Sequence, residues 1–269
     1  MSASLGGLLK DYRLQKNVSQ MEIAFALGWK DTARISRIEQ GHIEKPDRIL
    51  IDKICKALEL KSQETNRLLF IGGYLPTINE IKHVKSVTNT LIQSWKYPAA
   101  IRDFSWRIIH SNEKIFQYYK INQKQKDYII NNYPSVIEVT FHSEFILNKQ
   151  FMPNKFFAMK RKIFLTTMLK DFKEHQRNYT KDRWYIDFIK KMLDNPLFRE
   201  IWIQTDNVVD PLLNHVTNFA IKTAFHPNNP NIILTTYLMV TPYREDPRFE
   251  IEFYTPADME TFKYFDSIK

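Results

Sequence analysis

The chain of 269 residues predicts two domains, an all-α five-helix domain followed by an α+β domain with an antiparallel sheet, on three observations. Residues 1–73 carry apolar side chains at helical spacing, punctuated by helix start and stop signals. The cluster Gly72, Gly73 and Pro76 then ends that pattern. Beyond about residue 89, short runs rich in β-branched and aromatic residues come before and after a long helical stretch, the order of an α+β domain. Domains cluster at about 100–150 residues, so two are expected from length alone. The expected boundaries are 1–73 and 89–269, with 74–88 a linker to which no element is assigned.

Helices are expected at roughly 5–16, 20–27, 32–40, 47–58 and 63–73. Ser19 and Glu22 have the spacing of a capping box, which satisfies free amides at a helix start. Ile23, Ala24 and Leu27 share one face of the helix that follows, and Gly28 stands where a left-handed closing residue belongs. In the next helix Ile35 and Ile38 lie together, with Ala33, Ser36, Arg37 and Gln40 opposite them and Arg34 on the flank. Gly41 ends it. Two short helices joined by a tight turn, the second small and polar outside, form a helix-turn-helix whose second helix can enter a major groove. Arg can bond guanine O6 and N7 there, and Ala can rest against a thymine methyl. Gln20, in the first turn of the preceding helix, can hold a phosphate with its amide and the free backbone N–H groups.

The segments LLKDYRLQKNVSQMEIAFALG, RISRIEQG and EKPDRILIDKICKALEL occur in order within residues 5–73 and resemble the Cro/C1-type (XRE) helix-turn-helix regulators, whose domain has the lambda-repressor-like fold. The resemblance implies groove-facing positions at Gln20, Thr32, Ala33 and Arg37 and places Lys45 near the DNA backbone. With Lys30, Arg34 and Ser36 these make up the candidate DNA-binding set. Arg13 and Glu39 match positions where that family often carries an internal ion pair. GWKDTARISRIEQG has one more residue between Gly28 and the recognition helix than the commonest form.

In the second half, YPAAIRDFSWRIIHSN predicts two short strands around a turn at Asp103–Ser105, and NEKIFQYYKI a helix packed on them. Residues 153–195 predict long helices broken near RNYTKD. VTNFAIKTAFH, NIILTTYLMV and RFEIEFY follow as strands. In the last, Phe249, Ile251 and Phe253 alternate with Arg248, Glu250 and Glu252, the pattern of a sheet with one wet face. TPADMETFKYFDSI closes as a helix, and helices are expected over one side of the sheet.

YPAAIRDFSWRIIHSNEKIF, NPLFREIWIQTDNV and FEIEFYTPADMETFKYF look like three signatures of the PAS-like ligand-binding domain of MmyB-type regulators. The resemblance implies a sensor at 89–269 that takes a small apolar, fatty-acid-like ligand. Phe156, Phe157, Phe164, Trp184, Phe188 and Trp202 are the candidate lining of an apolar pocket, such pockets being mostly apolar with few polar anchors. The alternative is that these side chains fill the core, and that the domain dimerises or docks a protein partner without a ligand.

Hydrophobic residues form 43% of the chain and aromatics 14%, with only 6 glycines, which excludes a low-complexity architecture. The net charge is +9, of which +3 falls in residues 1–75 and +6 beyond, so basicity is not confined to one segment. The single cysteine, Cys55, excludes an internal disulfide and fits a reducing, cytoplasmic setting. No stretch has the length of a membrane span, and no membrane partner is expected. The seven histidines lack zinc spacing, and phosphate-loop, G-x-S-x-G and H-E-x-x-H motifs are missing. No metal, cofactor or catalytic residue is therefore expected. The sequence points to a non-enzymatic, homodimeric regulator with double-stranded DNA as its partner.

Overall fold

The computed structural model describes residues 4–143, 145, 155–205, 219–226 and 229–268. Its contacts form two compact units: Met1–Pro76 with Pro242–Arg248, and Thr77–Thr241 with Phe249–Lys269.

The first unit contains α1 (Leu5–Gln15), α2 (Gln20–Ala26), α3 (Ala33–Glu39), α4 (Arg48–Ala57) and α5 (Ser62–Ile71), each end within two residues of expectation. Local chemistry sets the limits. Ser4 and Asp47 cap α1 and α4, and the Ser19–Glu22 capping box forms in full at α2. Gly28 and Gly41 take left-handed φ values of 74° and 79° where α2 and α3 end. Leu8, Leu9, Ile23, Ile35, Ile38, Ile51, Ile54 and Leu68 pack one core between the helices. At Gly6, α1 approaches α3 so closely that a β-carbon would stand 2.0 Å from the Ile38 carbonyl oxygen. Cys55 is buried in the same core, and that burial pushes its thiol up to about 11. Residues 242–248 complete the unit. There Gln63 and Asn66 of α5 donate to the Glu245 carboxylate and carbonyl at 2.7 and 2.9 Å. Arg248, fully buried, pairs with Asp246 at 2.7 Å.

The second unit opens with α6 (Ile78–Ser94), so most of the stretch expected as a linker is helix, started by the Thr77–Glu80 capping box. A five-stranded sheet of order β2-β1-β5-β4-β3 follows from β1 (Ala99–Asp103), β2 (Ile108–Ser111), β3 (Phe219–His226), β4 (Asn229–Pro242) and β5 (Phe249–Pro256). The β1–β2, β1–β5 and β3–β4 pairings are antiparallel. Among the described residues, β2 is followed by α7 (Glu113–Tyr118), α8 (Gln123–Asn132), α9 (Val136–Phe141) and the long α10 (Lys155–Gln176). A 3-10 turn at Arg177–Tyr179 is the expected break, followed by α11 (Arg183–Leu193) and α12 (Pro196–Gln204); α13 (Met259–Ser267) closes the chain. Among the described residues no helix is long and apolar enough to cross a membrane.

Two expectations about the sheet are corrected. Helices cover both faces and not one: Phe253 meets Trp95 at the end of α6, while its neighbour Tyr254 joins the aromatic core of Tyr118, Tyr264 and Phe265 from α7 and α13. The polar face of β5 is not wet. Glu250 and Glu252 pair with Arg102 of β1 at 2.8 and 3.1 Å, and Arg248 and Glu252 are buried. An interior strand covered on both sides has no solvated face, so its charges are answered across the ladder. Burial opposes the Arg102 charge, but Glu252 and Glu250 outweigh it and leave the guanidinium pKa raised.

Candidate nucleic-acid interface

The outer surface of α3 follows from the side it buries. Ile35 and Ile38 are fully enclosed against α1 and α2, so Ala33, Arg34, Arg37 and Gln40 are turned out and exposed, with Ser36 half-buried beside them. Ser36 accepts a hydrogen bond from the Gln40 amide at 3.0 Å. Neither Arg34 nor Arg37 pairs with a carboxylate among the described residues.

The additional residue before α3 is absorbed by a cap. Asp31 accepts from the Ala33 amide at 2.9 Å, and Thr32, whose side chain makes no capping bond, already has helical dihedrals. This capping fixes Ala33 at the first turn and leaves Lys30 exposed beside it in sequence. Trp29, half-buried against the core, carries the Arg34 guanidinium over its ring at 5.1 Å. Sequence reading placed Arg34 on the flank and gave Trp29 no role. The signal was an aromatic five positions ahead of an arginine, and a cation–π contact at an exposed site is worth about 0.5–1 kcal/mol toward holding it.

Gln20 is held by the element beneath α3. The Glu39 carboxylate accepts from Arg13 Nε and Nη2 at 2.6 and 2.9 Å and from Gln20 Nε2 at 2.8 Å. The ion pair expected from the Arg13 and Glu39 positions is thus present and buried, and its hydrogen bond raises the Arg13 pKa. Glu39 thereby couples α1, α2 and α3 and orients the Gln20 amide. Lys45, exposed along its stem, donates to the Gly73 carbonyl at 3.0 Å and lies over the Tyr74 ring at 5.1 Å. Its ammonium is therefore engaged inside its own unit.

This constellation can do two things chemically. It can present one planar, unpaired guanidinium beside a methyl-sized side chain to base edges, and it can offer cations and amides to phosphates. Residues 4–68 match the helix-turn-helix domain family. The N-terminal unit is a helix-turn-helix domain. No curated protein matches the chain.

Of the six aromatic residues expected around an apolar cavity, the side chains of Phe164, Trp184, Phe188 and Trp202 are described. Trp184, Phe188 and Trp202 pack against the core formed by Trp106, Phe141, Leu169, Phe172 and Phe198. Trp202 stacks on Phe198 at 5.1 Å and lies beneath the Lys173 ammonium at 4.1 Å, while Phe164 is exposed. The side chains of Phe156 and Phe157 lie outside the described residues. Among the basic residues of 151–191, Lys162, Arg177, Arg183 and Lys191 pair with Glu200, Glu174, Asp187 and Glu138. No group of three or more His, Cys, Asp or Glu is placed to hold a metal ion among the described residues.

Proposed function

We propose that the protein is a sequence-specific, dimeric DNA-binding transcription regulator that acts in the cytoplasm and whose C-terminal unit carries its regulatory input. The observation that supports this reading above others is the outward Arg37, which meets no carboxylate among the described residues, beside Ala33 on a helix whose isoleucines face the core. A single recognition helix reads few base pairs, and helix-turn-helix proteins gain specificity by pairing half-sites about 34 Å apart. A homodimer supplies that pair. Arg37 reads a guanine, Ala33 contacts a thymine methyl, Arg34 on its tryptophan support and Gln20 on its carboxylate support hold the flanks, and Lys30 neutralises phosphate. The chain performs no catalysis in this reading. A ligand regulates it by binding one arrangement of the DNA-binding heads more tightly than another.

Selection of bound fragments from a random DNA pool, run with the full chain, tests the proposal. A palindromic consensus with half-sites one helical turn apart is expected, and a pool that stays random after repeated rounds refutes DNA reading. A second reading gives the C-terminal unit only a dimerising or partner-docking role, favoured by the packing of Trp184, Phe188 and Trp202 into a filled helical core. Native mass spectrometry separates the two. A reproducible added mass, lost on denaturation, marks a sensor.

A further inference from the structure

The C-terminal unit contains a half-open hollow of about 230 Å³ lined by residues of α6, β2, α7 and α8, away from the aromatic set singled out by sequence. Ile108, Phe116, Ile129 and Ile130 give it an apolar wall. Its charges do not cancel. Glu113 is committed to Lys126 across the mouth of α7 and α8. Lys85 stands over the Tyr133 ring at 5.2 Å and meets no carboxylate among the described residues. His110, bonded to Asn89 at 3.1 Å, is held below the ordinary imidazole range by burial and then by Lys85, so it adds no charge at neutral pH. One cation is left over. Ser111 also lines the hollow, and its hydroxyl, closed to solvent, has no hydrogen-bond partner among the described residues. Leaving such a group unsatisfied costs about 1–3 kcal/mol, and a turn about χ1 that brings it to a ligand oxygen recovers that cost.

Size narrows the ligand. Pockets for drug-sized molecules run to about 300–1,000 Å³, and at about 230 Å³ this hollow is smaller. That suits one ring or one branched alkyl group with a short acid arm. We propose that the cavity binds a small organic anion of the arylacetate type, its carboxylate meeting Lys85 and Ser111 and its ring lying against Phe116 and Ile129. This deepens the sensor reading above by naming a ligand class, and it replaces the fatty-acid-like ligand with a compact one. Binding itself does not depend on whether the chain reads DNA.

The test is calorimetric titration of the full chain, without DNA, with phenylacetate, its neutral analogue phenylacetamide, and inorganic phosphate. Phenylacetate is expected to bind at least tenfold more tightly than either control, which makes both the charge and the ring necessary. Lys85→Met, which keeps an apolar stem of similar length, should weaken phenylacetate at least tenfold, and Ile129→Trp should fill the space and abolish binding. Circular dichroism and the thermal transition report whether each variant folds; the comparison of acid with amide needs no variant. Absence of phenylacetate binding at millimolar concentration, equal binding of the amide or of phosphate, or a folded Lys85→Met chain that binds as before overturns the assignment. Failure of the regulator reading shows itself elsewhere, as failure of the same preparation to enrich any DNA.

Discussion

The outer face of α3 and the polar face of β5 look alike in sequence and differ in the folded chain. On each, charged residues alternate with apolar ones at the period of the element. Arg34 and Arg37 stay exposed and meet no carboxylate among the described residues, whereas Arg248 and Glu252 are buried and Glu250 and Glu252 close on Arg102. Periodicity assigns residues to a face, and tertiary neighbours decide what the face meets. α3 is an outer helix of its unit with one side packed; β5 lies between β1 and β4 with helices over both sides. The difference separates structural charge from functional charge. A cation already answered inside the chain holds the fold together, and one left unanswered is available to another molecule.

The sharpest way to break this comparison is to remove one charge from each face. Arg102→Ala strips the partner from two carboxylates in a covered sheet and should cost about 3–5 kcal/mol. Arg37→Ala should change stability by no more than about 0.5 kcal/mol. Urea unfolding followed by tryptophan fluorescence distinguishes them, since four of the five tryptophans lie in the second unit and report on the Arg102 change. Similar losses from the two substitutions would mean that Arg37 is also structural.

Gly6→Ala probes the packing on which the α3 face rests. Alanine ordinarily improves a helix by about 1 kcal/mol over glycine. Here its methyl group would collide with the Ile38 carbonyl, and overpacking of that kind costs about 1–3 kcal/mol, so the net effect is expected to be destabilising. The same displacement moves α3, so DNA affinity should fall although residue 6 is not among those proposed to touch DNA. A Gly6→Ala chain with raised thermal stability would show that α1 and α3 separate without strain.

The first unit was legible because its boundaries are written locally. The Ser19–Glu22 box, Gly28, Gly41 and the Asp47 cap sit within a turn of the element they start or stop. α6 carried the same kind of mark in Thr77 and Glu80, and α8 in Asn122 and Gln125, so both could have been found by the same rule. Other features depend on residues distant in sequence. β1 pairs with β5 across about 150 positions, Glu39 collects donors from α1 and α2, and residues 242–248 fold with the helices of the first unit. No window of sequence contains both halves of such a contact. The outward turn of Ala33, Arg34 and Arg37 follows from the period of α3, but what steadies that face, Trp29 beneath Arg34 and Asp31 at the start of the helix, emerges only when the turn has a geometry.

Within the proposed interface, Arg37→Ala should weaken operator binding by about 1–3 kcal/mol and relax preference at one base position, read by repeating the DNA selection with the variant. The smallest expected effect belongs to Lys30. It is exposed and precedes the Asp31 cap, so its ammonium is suited to a phosphate and not to a base edge. Lys30→Ala should therefore leave the consensus sequence unchanged and weaken all sites alike. Its signature is the salt dependence: each phosphate contact contributes about 0.9 to the slope of log affinity against log salt, so the slope should become shallower by about one. Fluorescence anisotropy across a salt series measures it. An altered consensus with an unchanged slope would move Lys30 from the backbone to the bases and shift the register of α3 in the groove.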